Sequence, residues 1–145
     1  MTEHGGQLEE RNQVREIIDV MHFESREERV EPSLFKKNKK WFKDNDAKCF
    51  INNSECAGHI EIHHNIIQHA AANEVDWDRV EQDYGFRDVD DIKNLIPICK
   101  KHHTGKATGI HMMSYPAWIL QRYYLPEPLS NFEAAVKEAI ANDKD

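Results

Sequence analysis

The sequence predicts a small α+β protein: two short strands followed by a helix, with further helices at both ends and one inserted between the strands. Three observations predict it. His59-Ile60-Glu61-Ile62-His63-His64 alternates polar and apolar side chains, the period-two pattern of a half-buried strand. Asn94-Leu95-Ile96-Pro97-Ile98 is a second short apolar run, and its Pro97 suits an edge position or a strand end. Around both, apolar residues recur at helical spacing in segments punctuated by Gly and Pro.

Taken in order, Gln7 to Phe23 carries Leu8, Val14, Ile17, Ile18 and Met21 at three- and four-residue spacing, which predicts an amphipathic helix. Pro32 and Ser33 break it, and a lysine-rich stretch leads through Trp41 and Phe42 to Cys49. After the first strand, residues 65–72 suit a helical turn or two. Trp77, Val80 and Tyr84 then fall at helical spacing in an acidic span, with Gly85 as the stop. After the second strand, Lys100 to Lys106 opens a helix limited by Gly105 and Gly109. Pro116 fits the first turn of a helix over Ala117–Tyr124, which Pro126 and Pro128 end. Ser130 or Asn131 caps a last helix through Ala141, with Phe132, Ala135, Val136 and Ile140 on one face. The chain so divides into a helical and lysine-rich extension (1–46), a central unit (47–125) with an acidic insert at about 66–92, and a C-terminal helix (126–145).

The length of 145 residues suits one compact domain. No apolar run approaches the roughly 20 residues of a membrane span, and the first residues lack a secretory pattern. Three cysteines cannot pair completely, so a reducing, cytoplasmic setting is expected. The net charge of −7 argues against a polyanionic partner until it is divided by segment. Residues 35–48 carry six lysines against two aspartates, and 99–125 carry four bases and no acid. Residues 49–98 hold ten acids against three bases. Two basic stretches flank the acidic one; the alternative is that Lys36-Lys37-Asn38-Lys39-Lys40 only solvates a charged surface. Asp76, Asp78, Glu81 and Asp83 either solvate the inserted helix or form a surface for a protein partner.

Seven of the nine histidines lie between His59 and His111. Imidazole and thiolate are the groups that bind transition metals at neutral pH, and here they fall in separated clusters. One strand ends in His63-His64, and the second runs into Cys99-Lys100-Lys101-His102-His103, with His111 downstream. Glu61 shares the strand parity of His63, which suits it to orienting that imidazole; an exposed strand carboxylate is the alternative.

The order Glu61-Ile62-His63-His64, then Asn94-Leu95-Ile96-Pro97-Ile98-Cys99, then His102-His103 resembles the HNH nucleases, over roughly residues 47–124. The stretch from Gly109-Ile110-His111 to Trp118-Ile119-Leu120-Gln121-Arg122-Tyr123-Tyr124 is similar to small phage or prophage members. The resemblance implies a ββα-metal core, a two-stranded hairpin followed by a helix, and hydrolysis of DNA phosphodiester bonds with Mg²⁺, Mn²⁺ or a similar ion. His63 and His103 would be ligands of that ion, and His64 the general base. Asn94 would brace the loop that holds the base. His111 would be the last ligand, reached by folding back at Gly105 and Gly109, because Ala107 stands where many members place it. Lys100, Lys101, Lys106 and Arg122 would contact the DNA backbone. Many such proteins hold the hairpin with a structural zinc on two Cys-x-x-Cys pairs, and this chain departs from that pattern. Cys49, Cys56, Cys99 and His102 would make a Cys₃His set; replacing Cys49 by His59 is a second choice. Cysteines that are merely small buried apolar groups are the third. The different-class alternative is a zinc-stabilised DNA- or protein-binding module without nuclease chemistry.

Overall fold

The computed structural model describes residues 11–20 and 31–142 and shows a mixed α+β architecture. Helix α1 (Ser33–Asp44) precedes strand β1 (Ile60–His64), and helix α2 (Trp77–Tyr84) lies in the insert before strand β2 (Leu95–Cys99). Helices α3 (Lys100–Thr104), α4 (Tyr115–Tyr123) and α5 (Pro126–Asn142) follow. The strands pair antiparallel, with Ile60 opposite Cys99, Ile62 opposite Pro97 and His64 opposite Leu95. Pro97 is accommodated because each strand is an edge of this two-stranded sheet.

Two apolar clusters grip the sheet. Cys49, Ile51, Ile98, Cys99 and Trp118 form one, with Trp118 fully buried and its Nε1 donating to the His102 carbonyl at 2.8 Å. Phe35, Phe42 and Leu95 form the other, backed by Ile62. The insert is an ordered unit: Asp76 caps α2 by accepting from the backbone N–H groups of Asp78 and Arg79, and Gly85 ends it at φ 80. That left-handed conformation is cheap only for glycine. Trp77 fastens the helix by donating to the Ala72 carbonyl at 2.9 Å.

Three local expectations are corrected. Residues 11–20 carry no regular structure and are exposed, Ile18 and Val20 being 92% and 86% accessible, while residues 7–10 and 21–23 lie outside the described residues. A short amphipathic helix gains most of its stability from packing its apolar face, and this one has no such face buried. Instead the lysine-rich stretch is helical, because Phe35, Asn38 and Phe42 recur on one buried face. The last helix begins at Pro126, not at Ser130 or Asn131. Pro126 and Pro128 sit in its first turn, where a missing N–H has no intrahelical partner to lose. Among the described residues, no helix is long and apolar enough to cross a membrane.

Candidate metal centres

The β2–α3 junction feeds two clusters. Cys99 ends β2 and His102 lies one turn into α3, so the thiol and the imidazole share a side. The loop carrying Cys49 and Cys56 is tied across this junction. Phe50 N–H donates to the Pro97 carbonyl at 2.7 Å, Lys100 N–H to His59 at 2.9 Å, and Lys101 N–H to Ala57 at 3.1 Å. The result places the sulfurs of Cys99, Cys56 and Cys49 at 3.2, 3.6 and 3.9 Å from His102 Nδ1. Tetrahedral donors 2.0–2.3 Å from a zinc ion lie roughly 3.5–3.8 Å apart. All four donor atoms lie within 4.8 Å of one another, so the set can hold a metal such as zinc. His59, the alternative donor, is exposed and faces Glu61, with 3.0 Å between His59 Nε2 and Glu61 Oε2.

The protonation chemistry of this cluster favours a cation. Burial raises the Cys49 thiol, but hydrogen bonds from His102 and at the Cys99, Asn52 and Ile51 backbone outweigh it and leave the pKa lowered to about 6. Burial, with the nearby Cys49 and Cys99 charges, pushes Cys56 up to about 12. Three ionised sulfurs cannot share so small a volume without a positive charge among them. His102 is fully buried and its Nε2 has no partner among the described residues, so the sulfur cluster is what fixes the ring.

The second cluster is His63, His103 and His111, whose donor atoms also lie within 4.8 Å of one another. His103 Nε2 stands 3.0 Å from His111 Nε2. The separation of His111 from His103 is bridged by a tight return. Gly109 N–H donates to the Gly105 carbonyl at 3.0 Å, and a Cβ on Gly109 would lie 2.8 Å from the His103 carbonyl. Only glycine allows that approach. His63 is buried, and desolvation, with the nearby imidazoles, lowers its pKa to about 3. It is a neutral donor at neutral pH. Burial and the neighbouring His103 lower His111 as well. Glu61 faces His103 and not His63, its Oε1 accepting from His103 Nδ1 at 2.8 Å. That contact holds the Glu61 carboxyl below its usual range and fixes the orientation of the His103 ring.

His64 lines the same depression of about 410 Å³ as His63, His103, His111 and His69. Its Nε2 lies 2.7 Å from Asp90 Oδ1, and Phe35 stacks on its ring at 5.1 Å and 16°. Asn94 is fully buried and spends its side chain on backbone groups. Its Nδ2 donates to the Ile67 and Val89 carbonyls, and its Oδ1 accepts from the Ile66 and Ile67 N–H groups. It so ties the chain leaving β1 to the end of the insert. Lys100 and Lys106 are exposed, whereas Lys101 bridges Glu55 and Glu133 at 3.3 Å each. The Arg122 guanidinium donates to the Phe50 carbonyl and lies over the Phe50 ring.

Asp90, Phe35 and Asn38 escaped the sequence reading. Asp90 stood among other acids, and no local spacing links positions 35, 64 and 90. The His69 ring lies 6.0 Å from that of His64. Compared with known proteins, the chain matches no family model, no curated protein and no solved structure.

Proposed function

We propose that this protein is a divalent-metal-dependent endonuclease of HNH type that hydrolyses DNA phosphodiester bonds, with a structural zinc on Cys49, Cys56, Cys99 and His102. The observation that carries the reading is the second cluster. Three imidazoles converge within 4.8 Å, and a fourth, His64, lines the same open depression. A bound divalent ion supplies charge stabilisation at the phosphate and at the departing 3′ oxygen. His63, His103 and His111 hold it, and Glu61 fixes the His103 ring. His64 takes a proton from the attacking water, a role that suits an imidazole near neutral pH. Asn94 braces the segment that follows the base through its four hydrogen bonds to backbone.

DNA as the substrate is supported by where the bases lie. Lys36, Lys37 and Lys43 are exposed on α1, as are Lys39 and Lys40, which meet Glu31 and Asp44, and the same helix brings Phe35 against His64. Lys100 and Lys106 are exposed around α3. The acids of the insert are partly occupied within it, Asp78 and Glu81 meeting Arg87 at 2.7 and 3.2 Å.

The test is nicking of supercoiled plasmid in Mg²⁺ or Mn²⁺. His64→Ala is expected to lose about a hundredfold or more in rate, the usual contribution of a general base, while folding and DNA retention persist. Equal nicking by the variant sinks the assignment of His64. A wild type that retains DNA but leaves it uncut with every divalent ion tested selects the second reading, a zinc-stabilised binding module, which the Cys₃His cluster favours because it is complete without the three-histidine set.

A further inference from the structure

The insert does more than lengthen the chain between the strands. Its last residues, Val89 and Asp90, are buried and held from three directions. Asn94 Nδ2 donates to the Val89 carbonyl at 2.8 Å, and Asn38 Nδ2 of α1 donates to the Asp90 carbonyl at 2.8 Å. The Asp90 N–H donates to Asp88 Oδ1 at 2.8 Å. A backbone fixed at both carbonyls and at the amide aims one side chain. That side chain meets His64 Nε2 at 2.7 Å, with the two side chains only 12% and 5% accessible. Phe35, from the same helix as Asn38, covers the ring face.

We propose that Asp90 is the positioning residue of His64, an acidic partner supplied by the insert that fixes which imidazole nitrogen carries the proton. The inference rests on the nuclease reading for its consequence, though not for its geometry. An ionised carboxylate has no proton to give and can only accept. A carboxylate accepting at His64 Nε2, 2.7 Å away, favours the tautomer with its proton there, which is the form that presents Nδ1 as a base. The same division of labour operates where a buried aspartate orients the histidine of a hydrolytic triad. Here the three contributors come from α1, β1 and the end of the insert, so the base is set only when all three are docked. No proton passes to Asp90 in this scheme; it orients the ring and stabilises the imidazolium that forms.

The test combines a spectroscopic readout with kinetics on the full chain. Long-range ¹H–¹⁵N correlation on ¹⁵N-labelled protein reads the protonated nitrogen of each histidine, with His64→Ala assigning the signal. The wild type is expected to show His64 protonated on Nε2. Asp90→Asn, which can donate to Nε2, should move the population toward the Nδ1–H form. Its plasmid nicking should fall on the order of a thousandfold, with the KM for DNA within about threefold. Asp90→Glu retains the carboxylate and should restore the Nε2–H form and part of the activity. A wild-type His64 protonated on Nδ1 overturns the proposal without any variant, so a failure of Asp90→Asn to fold does not protect it. An Asp90→Asn protein with an unchanged tautomer and nicking within about threefold of wild type overturns it too. A tautomer change in Asp90→Asn, alongside a wild type that cleaves no DNA, upholds the Asp90–His64 assignment and sinks the nuclease reading instead.

Discussion

His102 and His103 are neighbours in the chain and serve opposite clusters. One turn of α3 sends His102 inward to three sulfurs and His103 outward to His63 and His111. Single substitutions should therefore separate the two sites. Cys99→Ser should lower zinc from one per chain toward none, read by elemental analysis of protein purified without added metal, because the hydroxyl is a poor soft-metal ligand. Zinc at one per chain in that variant would mean that Cys99 is not a ligand. Glu61→Gln acts on the other cluster alone. Losing the carboxylate on His103 Nδ1 should weaken Mn²⁺ binding by about 10–100-fold while zinc content stays constant. Asn94→Ala strands two N–H donors and two carbonyls that its side chain satisfied. A loss of about 2–4 kcal/mol in unfolding free energy is expected from denaturant titration, given roughly 1–3 kcal/mol per unsatisfied buried group with partial relaxation. A loss below about 1 kcal/mol would show that water replaces those bonds readily.

At the scale of elements, the short α3 reaches a third imidazole only through the Gly105–Gly109 return. Gly109→Ala places a methyl group 2.8 Å from the His103 carbonyl and must displace the segment bearing His111. Divalent-metal affinity should drop about tenfold or more, with the Cys₃His zinc retained; unchanged affinity would remove His111 from the ligand set. Helix α1 makes a separate prediction. Replacing Lys36, Lys37 and Lys40 with Gln should reduce the slope of log K against log salt by up to about 0.9 per lost phosphate contact. An unchanged slope would place DNA elsewhere. These elements were unevenly legible in the sequence. Alternation marked β1, Gly85 marked the end of α2 and Pro116 the start of α4, because punctuation is local chemistry. Helix α1 was hidden by its lysines, its buried face being one residue per turn with Asn38 in the middle. The expected N-terminal helix failed for the converse reason, having periodicity with no surface packed against it over residues 11–20. His-His and Cys-x-x-His-His could be read as ligand candidates since each is one short run. The Asp90–His64 contact could not, because it depends on how a 29-residue connection folds.

For the whole molecule, the two clusters lie on either side of the β2–α3 junction, so the cysteine-containing set braces the segment from which His103 projects. Stripping zinc with a strong chelator should lower the thermal midpoint and release the loop of residues 49–58 to hydrogen exchange, since ligand binding to the native state is folding free energy. An unchanged midpoint would mean that the cysteines act only as buried apolar groups. The charge distribution agrees with this division. The net −7 is an average over an acidic insert, partly paired within itself, and basic helices beside the depression. Whether His63, His103 and His111 hold the ion that DNA cleavage requires is decided by one comparison. Plasmid nicking by zinc-loaded protein is measured against Mn²⁺ concentration for wild type and His103→Ala. Saturable nicking is expected of the wild type, abolished by chelation, with nicks that carry a 5′ phosphate and a 3′ hydroxyl and can be sealed by a ligase. In His103→Ala the curve should move to at least about tenfold higher Mn²⁺ or vanish, with zinc content unchanged. Nicking by His103→Ala at wild-type rate and wild-type Mn²⁺ dependence would contradict that assignment.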